Sequence, residues 1–156
     1  MNIYTVSFFG HREINNSIKT EEKLSELIKE LICTKEYVEF LVGRNGDFDI
    51  LVSSVIRKVT KDFDYGNFAH ILILPYHTAE YCNNTESYNA YYSEIEICEN
   101  SSSAHFRAAI QIRNKSMVDR SDLIICHIER KSGGAYKTIQ YANEQKKRVI
   151  NLAEYL

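Results

Sequence analysis

The feature that most constrains this chain is a regular alternation of short apolar runs with longer segments of helical period. Residues 3–9 (IYTVSFF), 38–42 (VEFLV), 70–74 (HILIL), 122–128 (DLIICHI) and 148–152 (RVINL) are rich in β-branched and aromatic side chains and read as strands. Between the first two, Leu24, Leu27, Ile28, Leu31 and Ile32 form one apolar face of a helix. That helix is predicted to start near Thr20, with Glu21 and Glu22 in its first turn at the positive end of the dipole. Leu51, Val52, Val55, Val59 and Phe63 mark a second helix, closed by Gly66-Asn67. A further helix is expected from about Ser103 to Val118, with Ala108, Ala109 and Ile112 inward, and a last one opening at Ser132-Gly133-Gly134, with Ile139 and Ala142 inward. Residues 76–102 are rich in tyrosine, and a short helix near 85–92 and a short strand near 94–98 are expected there. Strands alternating with helices predict an α/β, Rossmann-like architecture: a mostly parallel β-sheet with helices on both faces. At 156 residues the chain is the size of one domain, spanning 1–156.

Charge and apolar content narrow the function classes. A net charge of -2 and a pI near 6.2 argue against nucleic acid as a partner, because dedicated binders carry a basic face. No apolar stretch approaches the ~20 residues of a membrane span, and Met1-Asn2 leads straight into a strand-like run. The expectation is a cytoplasmic protein without membrane contact. Cys33, Cys82, Cys98 and Cys126 form no C-x-x-C pair, and Cys33 and Cys126 lie in apolar runs. They read as buried reduced thiols, so no metal is expected.

In sheets of this kind the ligand sits beyond the carboxyl ends of the strands. Four clusters fall just after a strand or on a helix near one. Ser132-Gly133-Gly134 offers unsatisfied backbone N–H groups and a positive helix end to a phosphate, or is a plain tight turn. Gly43-Arg44-Asn45-Gly46-Asp47 allows close backbone approach, with Arg44 placed to pair with a phosphate. Asp47 and Asp49 read as acceptors for ribose hydroxyls or, preferably, as helix caps. Gly10-His11-Arg12 puts a titratable ring and a guanidinium at the mouth of the first strand. Arg113-Asn114 is either part of the site or, with Lys115, a solvated helix face. The tyrosines of 76–92 form an aromatic wall against a base, a packing flap or an oligomer contact, with flap or contact preferred.

These elements come in a telling order: G-H-R after the first strand, G-x-x-G-x-D after the second, then Arg113-Asn114-Lys115-Ser116-Met117-Val118-Asp119-Arg120-Ser121-Asp122 before an apolar strand, and S-G-G before the last helix. The set resembles the SLOG superfamily, closest to its small YpsA-like branch, with the LOG phosphoribohydrolases and the DprA/Smf proteins as more distant relatives. The resemblance implies a Rossmann-like fold and a pocket for nucleotides or their derivatives, and extends the candidate set to Ala135 and Lys137. LOG enzymes carry P-G-G-x-G-T-x-x-E at the last helix; here Tyr136, Lys137 and Gln140 replace the second-half glycine, the threonine and the glutamate. Neutral Gln140 cannot do the work of a carboxylate that steadies developing positive charge. The expected function is therefore binding of a phosphorylated, nucleotide-derived small ligand, of ADP-ribose or cyclic-nucleotide type, by a sensing or sequestering module with no cofactor. One alternative is a nucleotide N-glycosidase in which Asp47, Asp49, Glu80 or Glu86 supplies the carboxylate. Another is a partner-binding scaffold using the tyrosine segment. Because such relatives commonly self-associate, a homo-oligomer is expected.

Overall fold

Residues 1–155 are described by the computed structural model, with the Tyr155 side chain left aside. Six strands form one sheet: β1 (Ile3–Gly10), β2 (Tyr37–Val42), β3 (Phe68–Leu74), β4 (Glu94–Ile97), β5 (Leu123–His127) and β6 (Arg148–Asn151). Every neighbouring pair is parallel, in the order β4-β3-β2-β1-β5-β6. The fold is the expected Rossmann-like α/β arrangement. Strand order reverses between β1 and β5, and this switch point leaves a crevice at the carboxyl ends of the strands.

The helices are α1 (Ser17–Thr34), α2 (Asp47–Asp62), α3 (Ala79–Asn83), α4 (Thr85–Tyr91), α5 (Glu99–Ser102), α6 (Phe106–Arg120) and α7 (Gly134–Glu144). Helices α1, α2 and α4 pack on one face, where Leu24, Ile28, Val52, Ile56 and Tyr88 meet Phe8, Phe40, Leu72 and Ile125. Helices α6 and α7 cover the other, where Met117, Val118 and Ala142 meet Leu41, Ile71, Ile124 and Cys126. Alternate residues of β5 therefore enter opposite cores, which is why its sequence is apolar throughout. No helix among the described residues is long and apolar enough to cross a membrane.

Several local expectations shift. Helix α1 begins at Ser17, a turn before Thr20; the Thr20 hydroxyl is buried and donates to the Asn16 carbonyl (3.0 Å). Helix α6 turns a different stripe inward: Ala109, Arg113, Asn114, Met117 and Val118 are buried, whereas Ala108 is exposed and Ile112 half-buried. Two polar residues occupy the inward face, so the apolar pattern alone misplaced it. Cys98 and Cys126 are buried free thiols, but Cys33 is exposed, because it follows Ile32 around the helix onto the solvent side. Neither aspartate caps α2 from the N-cap position, which Gly46 fills. Asp49 instead reaches back to accept the Asn45 N–H (2.9 Å). The tyrosine segment is a packing flap: Tyr88 and Tyr92 are core residues, and the Tyr92 ring lies 4.9 Å from that of His70.

His70 sits beneath this flap, hydrogen-bonded to Ser53 Oγ (2.9 Å), and burial pushes its pKa down to about 4 from 6.5, with Arg57 acting in the same direction. The folded state thus favours the neutral ring. The stabilisation is present above pH 6.5 and is lost as pH falls toward 4. Between about pH 7.5 and about pH 5, His70 alone should remove about 2 kcal/mol of unfolding free energy. Urea titrations of the protein and of His70→Gln, whose amide does not titrate, should show a smaller pH loss in the variant.

Candidate functional site

A cavity of about 490 Å³ occupies the switch point. Its floor is the end of β1 from Phe8 to Gly10, continued by His11 and Arg12. Gly43, Asn45 and Asp49 form one wall, after β2. The second wall is α6, through Arg107, Ile110, Gln111, Arg113, Asn114 and Met117. Arg130 and the start of α7, Gly133 to Ala135 with Lys137, close the third side.

A buried polar chain ties these walls together. Arg113, only 3% exposed, donates from Nη1 to the Ile73 carbonyl (3.0 Å) and grips Asn114 Oδ1 through Nε and Nη2 (3.1 and 2.9 Å). Asn114 Nδ2 donates to Thr138 Oγ1 (3.0 Å), and that hydroxyl donates to the Gly134 carbonyl (2.9 Å). Gln111 Nε2 donates to the same carbonyl (3.0 Å). The end of β3, one face of α6 and the first turn of α7 are thereby fixed to each other.

His11 secures the loop into α7. Its Nε2 accepts the backbone N–H groups of Glu129 and Arg130 (both 3.2 Å). Burial first, then Arg130 and His127, lower its pKa, against Glu129, which raises it. An accepting Nε2 leaves the ring proton on Nδ1. The loop ends at Gly133, the N-cap of α7, whose φ of 91° lies where side chains other than hydrogen are strained. Among the described residues no side chain caps α7, so its first amides remain open on the cavity side.

The electrostatics are one-sided. Arg12, Arg107, Arg113, Arg130 and Lys137 line the cavity, against Asp49 as the one acid. Among the described residues no ion pair engages Arg12, Arg107, Arg130 or Lys137. Burial lowers the Arg113 pKa, with Asp49 and Cys98 opposing. Burial also raises Asp49 above the usual carboxylate range, with the Asn45 N–H and Arg113 opposing. A Cβ on Gly43 would stand 3.1 Å from Asp49 Oδ2 and 3.2 Å from Arg113 Nη1, so a side chain there would crowd both groups.

The cavity gathers Gly10, His11, Arg12, Gly43, Asn45, Arg113, Asn114, Gly133, Gly134, Ala135 and Lys137 from the expected set. Arg44, Gly46, Asp47 and Ser132 lie outside its lining. Arg44 points to the flap instead: it bonds Glu80 (3.2 Å) and the Tyr92 hydroxyl (3.0 Å) and covers the Tyr88 ring at 4.9 Å. Glu80 is held below the usual carboxylate range, chiefly by Tyr88, while burial and Glu80 push Tyr88 up to about 12. Gly46 backs onto Arg12, whose Cα would be 2.5 Å from an added Cβ. Asp47 and Glu86 are exposed and outside the lining, and Gln140 bonds Tyr136 Oη (3.3 Å) at the surface. Sequence reading passed over Arg107, Gln111 and Arg130. Arg107, Gln111 and Asn114 recur at i, i+4 and i+7, a polar stripe that helical periodicity would have revealed.

No protein-family model matches the chain, and no curated protein sequence does. Solved structures do share its fold. DNA processing protein A from Helicobacter pylori, reported with its single-stranded DNA binding mode, aligns with a TM-score of 0.63 and 14% identity over 94% of this chain and 63% of that one. DprA from Streptococcus pneumoniae aligns with a TM-score of 0.65 and 12% identity over 94% of this chain and 49% of that one. The structural-genomics protein TM1055 aligns with a TM-score of 0.59 and 16% identity, over 94% and 72% of the two chains. The chain thus spans less than two thirds of either DprA chain. These likenesses establish the Rossmann-like fold, shared with these proteins, and give no support to the narrower YpsA-like branch. They also overturn the argument against nucleic acid drawn from net charge, since a protein of this fold binds single-stranded DNA. Net charge averages the whole surface, whereas the cationic lining is local.

Thr138→Val removes the hydroxyl that links Asn114 to Gly134 while keeping the side-chain shape. A loss of about 1–3 kcal/mol in urea unfolding is expected, from the buried amide left unpaired. Gly133→Ala should cost about 1–3 kcal/mol through backbone strain alone, since nothing lies within 4 Å of an added Cβ.

Proposed function

We propose that the cavity binds a phosphorylated nucleotide or nucleotide derivative, with its phosphate against the start of α7 and the side chains of Arg130 and Lys137. The observation that carries this reading is the charge imbalance: five cations face one acid around an uncapped helix N-terminus, in a chain of net charge -2. Ile110, Met117 and Phe9 add apolar surface suited to a base. Binding rather than cleavage is the reading we adopt, because Gln140, Asp47, Glu80 and Glu86 lie outside the lining and the one candidate carboxylate inside it, Asp49, is engaged by the Asn45 N–H (2.9 Å). The module would then act by sensing or sequestering its ligand.

A second reading takes the phosphates from single-stranded DNA. It is favoured by the fold shared with the H. pylori protein. Cationic grooves that follow a nucleic-acid backbone bind with strong salt dependence.

Calorimetric titration with AMP, cyclic AMP, ADP-ribose and a labelled deoxythymidine oligonucleotide tests both readings. Binding of a free nucleotide is expected, weakened tenfold or more, on the order of 1.5–3 kcal/mol per lost charged contact, in Arg130→Ala/Lys137→Ala. Gly134→Asp should abolish it, since the added Cβ meets only the movable Gln111 amide and the carboxylate it carries repels the phosphate. Oligonucleotide binding without nucleotide binding would favour the DNA reading. Failure of every phosphorylated probe would refute both.

A further inference from the structure

We propose that Asp49 and Arg113 form a seat for the vicinal diol of a ribose, making the cavity selective for ribonucleotides over 2′-deoxyribonucleotides. The inference rests on the nucleotide-binding reading and names the class of ligand it admits.

The two side chains offer complementary hydrogen-bonding capacity. Asp49 Oδ2 is committed to the Asn45 N–H (2.9 Å), and among the described residues Oδ1 has no hydrogen-bond partner. Arg113 spends three of its five N–H groups on Ile73 and Asn114, which leaves one hydrogen on each Nη. Both Nη atoms and Asp49 Oδ2 lie close to the position a Gly43 Cβ would take, Oδ2 at 3.1 Å, Nη1 at 3.2 Å and Nη2 at 3.3 Å, so the two groups are near neighbours beside the bare Gly43 backbone, and both line the cavity. The carboxylate and the guanidinium make no direct ion pair there, so neither satisfies the other.

The chemistry of the gap selects its occupant. A phosphate would suit Arg113 but would face the Asp49 carboxylate. A hydroxyl donates to the carboxylate and accepts from the guanidinium at once, and a cis-diol does so twice. The remaining geometry agrees. Strands β2 and β5 flank β1, so the Asp49 wall and the start of α7 stand on opposite sides of it. Two strand spacings separate them, about 10 Å at the sheet. A nucleotide lying across β1 would set its phosphate against α7 and its sugar edge against Asp49. A site that hydrogen-bonds a hydroxyl strongly rejects the analogue lacking it, because its own polar groups are left unpaired.

The test compares AMP, 2′-deoxy-AMP and inorganic pyrophosphate by calorimetry on the full chain and on Asp49→Asn. In the parent protein AMP should bind about tenfold or more tightly than 2′-deoxy-AMP. In Asp49→Asn the amide keeps the Asn45 N–H with its oxygen, and an NH2 donor replaces the free acceptor Oδ1. The preference should then fall to about threefold or less, with pyrophosphate affinity retained or improved. Equal affinity of the parent for the two nucleotides overturns the diol seat but leaves the phosphate reading standing. Loss of pyrophosphate binding in Asp49→Asn, with its melting temperature unchanged, also overturns it, by assigning Asp49 to the phosphate. Absence of binding by all three probes overturns the nucleotide reading and the diol seat together. The parent comparison needs no variant, so the proposal is tested even if Asp49→Asn fails to fold.

Discussion

The buried guanidinium of Arg113 is the interaction on which the functional edge depends. An ion taken out of water costs several kcal/mol unless its hydrogens are matched. Arg113 is matched by a strand-end carbonyl and by its own neighbour, Asn114, rather than by a directly paired carboxylate. That choice has structural consequences. The Ile73 carbonyl lies one residue beyond the last β2–β3 pair, Val42 with Leu72, and Arg113 takes it up. The Asn114 amide, held by the guanidinium, has only its Nδ2 left to offer, and this reaches Thr138 on α7. The start of α7 can therefore sit in one place relative to the sheet. The network is poor evidence for net stability, since buried polar groups seldom outperform apolar packing. It accounts instead for a defined position of the amides that open onto the cavity.

The loop after β2 is fixed by a different set of contacts that converge on the same cavity. On its outer side Arg44 joins Glu80, Tyr92 and Tyr88 and binds the loop to the tyrosine flap. On its inner side Gly46 lies against Arg12, and the Asp47 N–H donates to the Arg12 carbonyl (2.8 Å). Asp49 then closes the turn on Asn45. Two loops that would otherwise move independently are thus bonded to each other before any ligand arrives. The flap's tyrosines serve the cavity indirectly, by engaging Arg44, which stands between the lining residues Gly43 and Asn45.

This division of labour explains what the sequence revealed and what it concealed. The sheet was legible because strands buried on both faces become continuous apolar runs, as β5 shows. Helices α1 and α2 were legible because one face of each is apolar. The inward face of α6 was concealed because Arg113 and Asn114 replace the apolar residues that would have marked it. At the cavity, the strand-end rule pointed to the clusters that line it but not to every lining member, since Arg44, Gly46, Asp47 and Ser132 lie outside. Asp47 and Asp49 differ by two helical positions, roughly 200° around the axis, so one faces solvent and the other the cavity. Arg12 and Arg44 differ in whether a carboxylate lies nearby, and Glu80, 36 residues further along the chain, decides that only through the fold.

Charge and rigidity together indicate how such a cavity works. Like charges gathered in a partly buried space repel one another, and here one carboxylate offsets five cations. Folding holds them there through backbone contacts and the Arg113 network rather than through ion pairs, so the empty cavity keeps an unbalanced positive potential. An anionic ligand relieves that repulsion without requiring the walls to move, and pre-organised walls spare it the cost of ordering loops. The single acid then gains a specific meaning. If the lining served only to attract phosphate, a carboxylate at Asp49 would weaken it, and an asparagine could have closed the same turn on Asn45. A carboxylate retained beside a buried arginine makes physical sense where the ligand brings hydroxyls as well as negative charge.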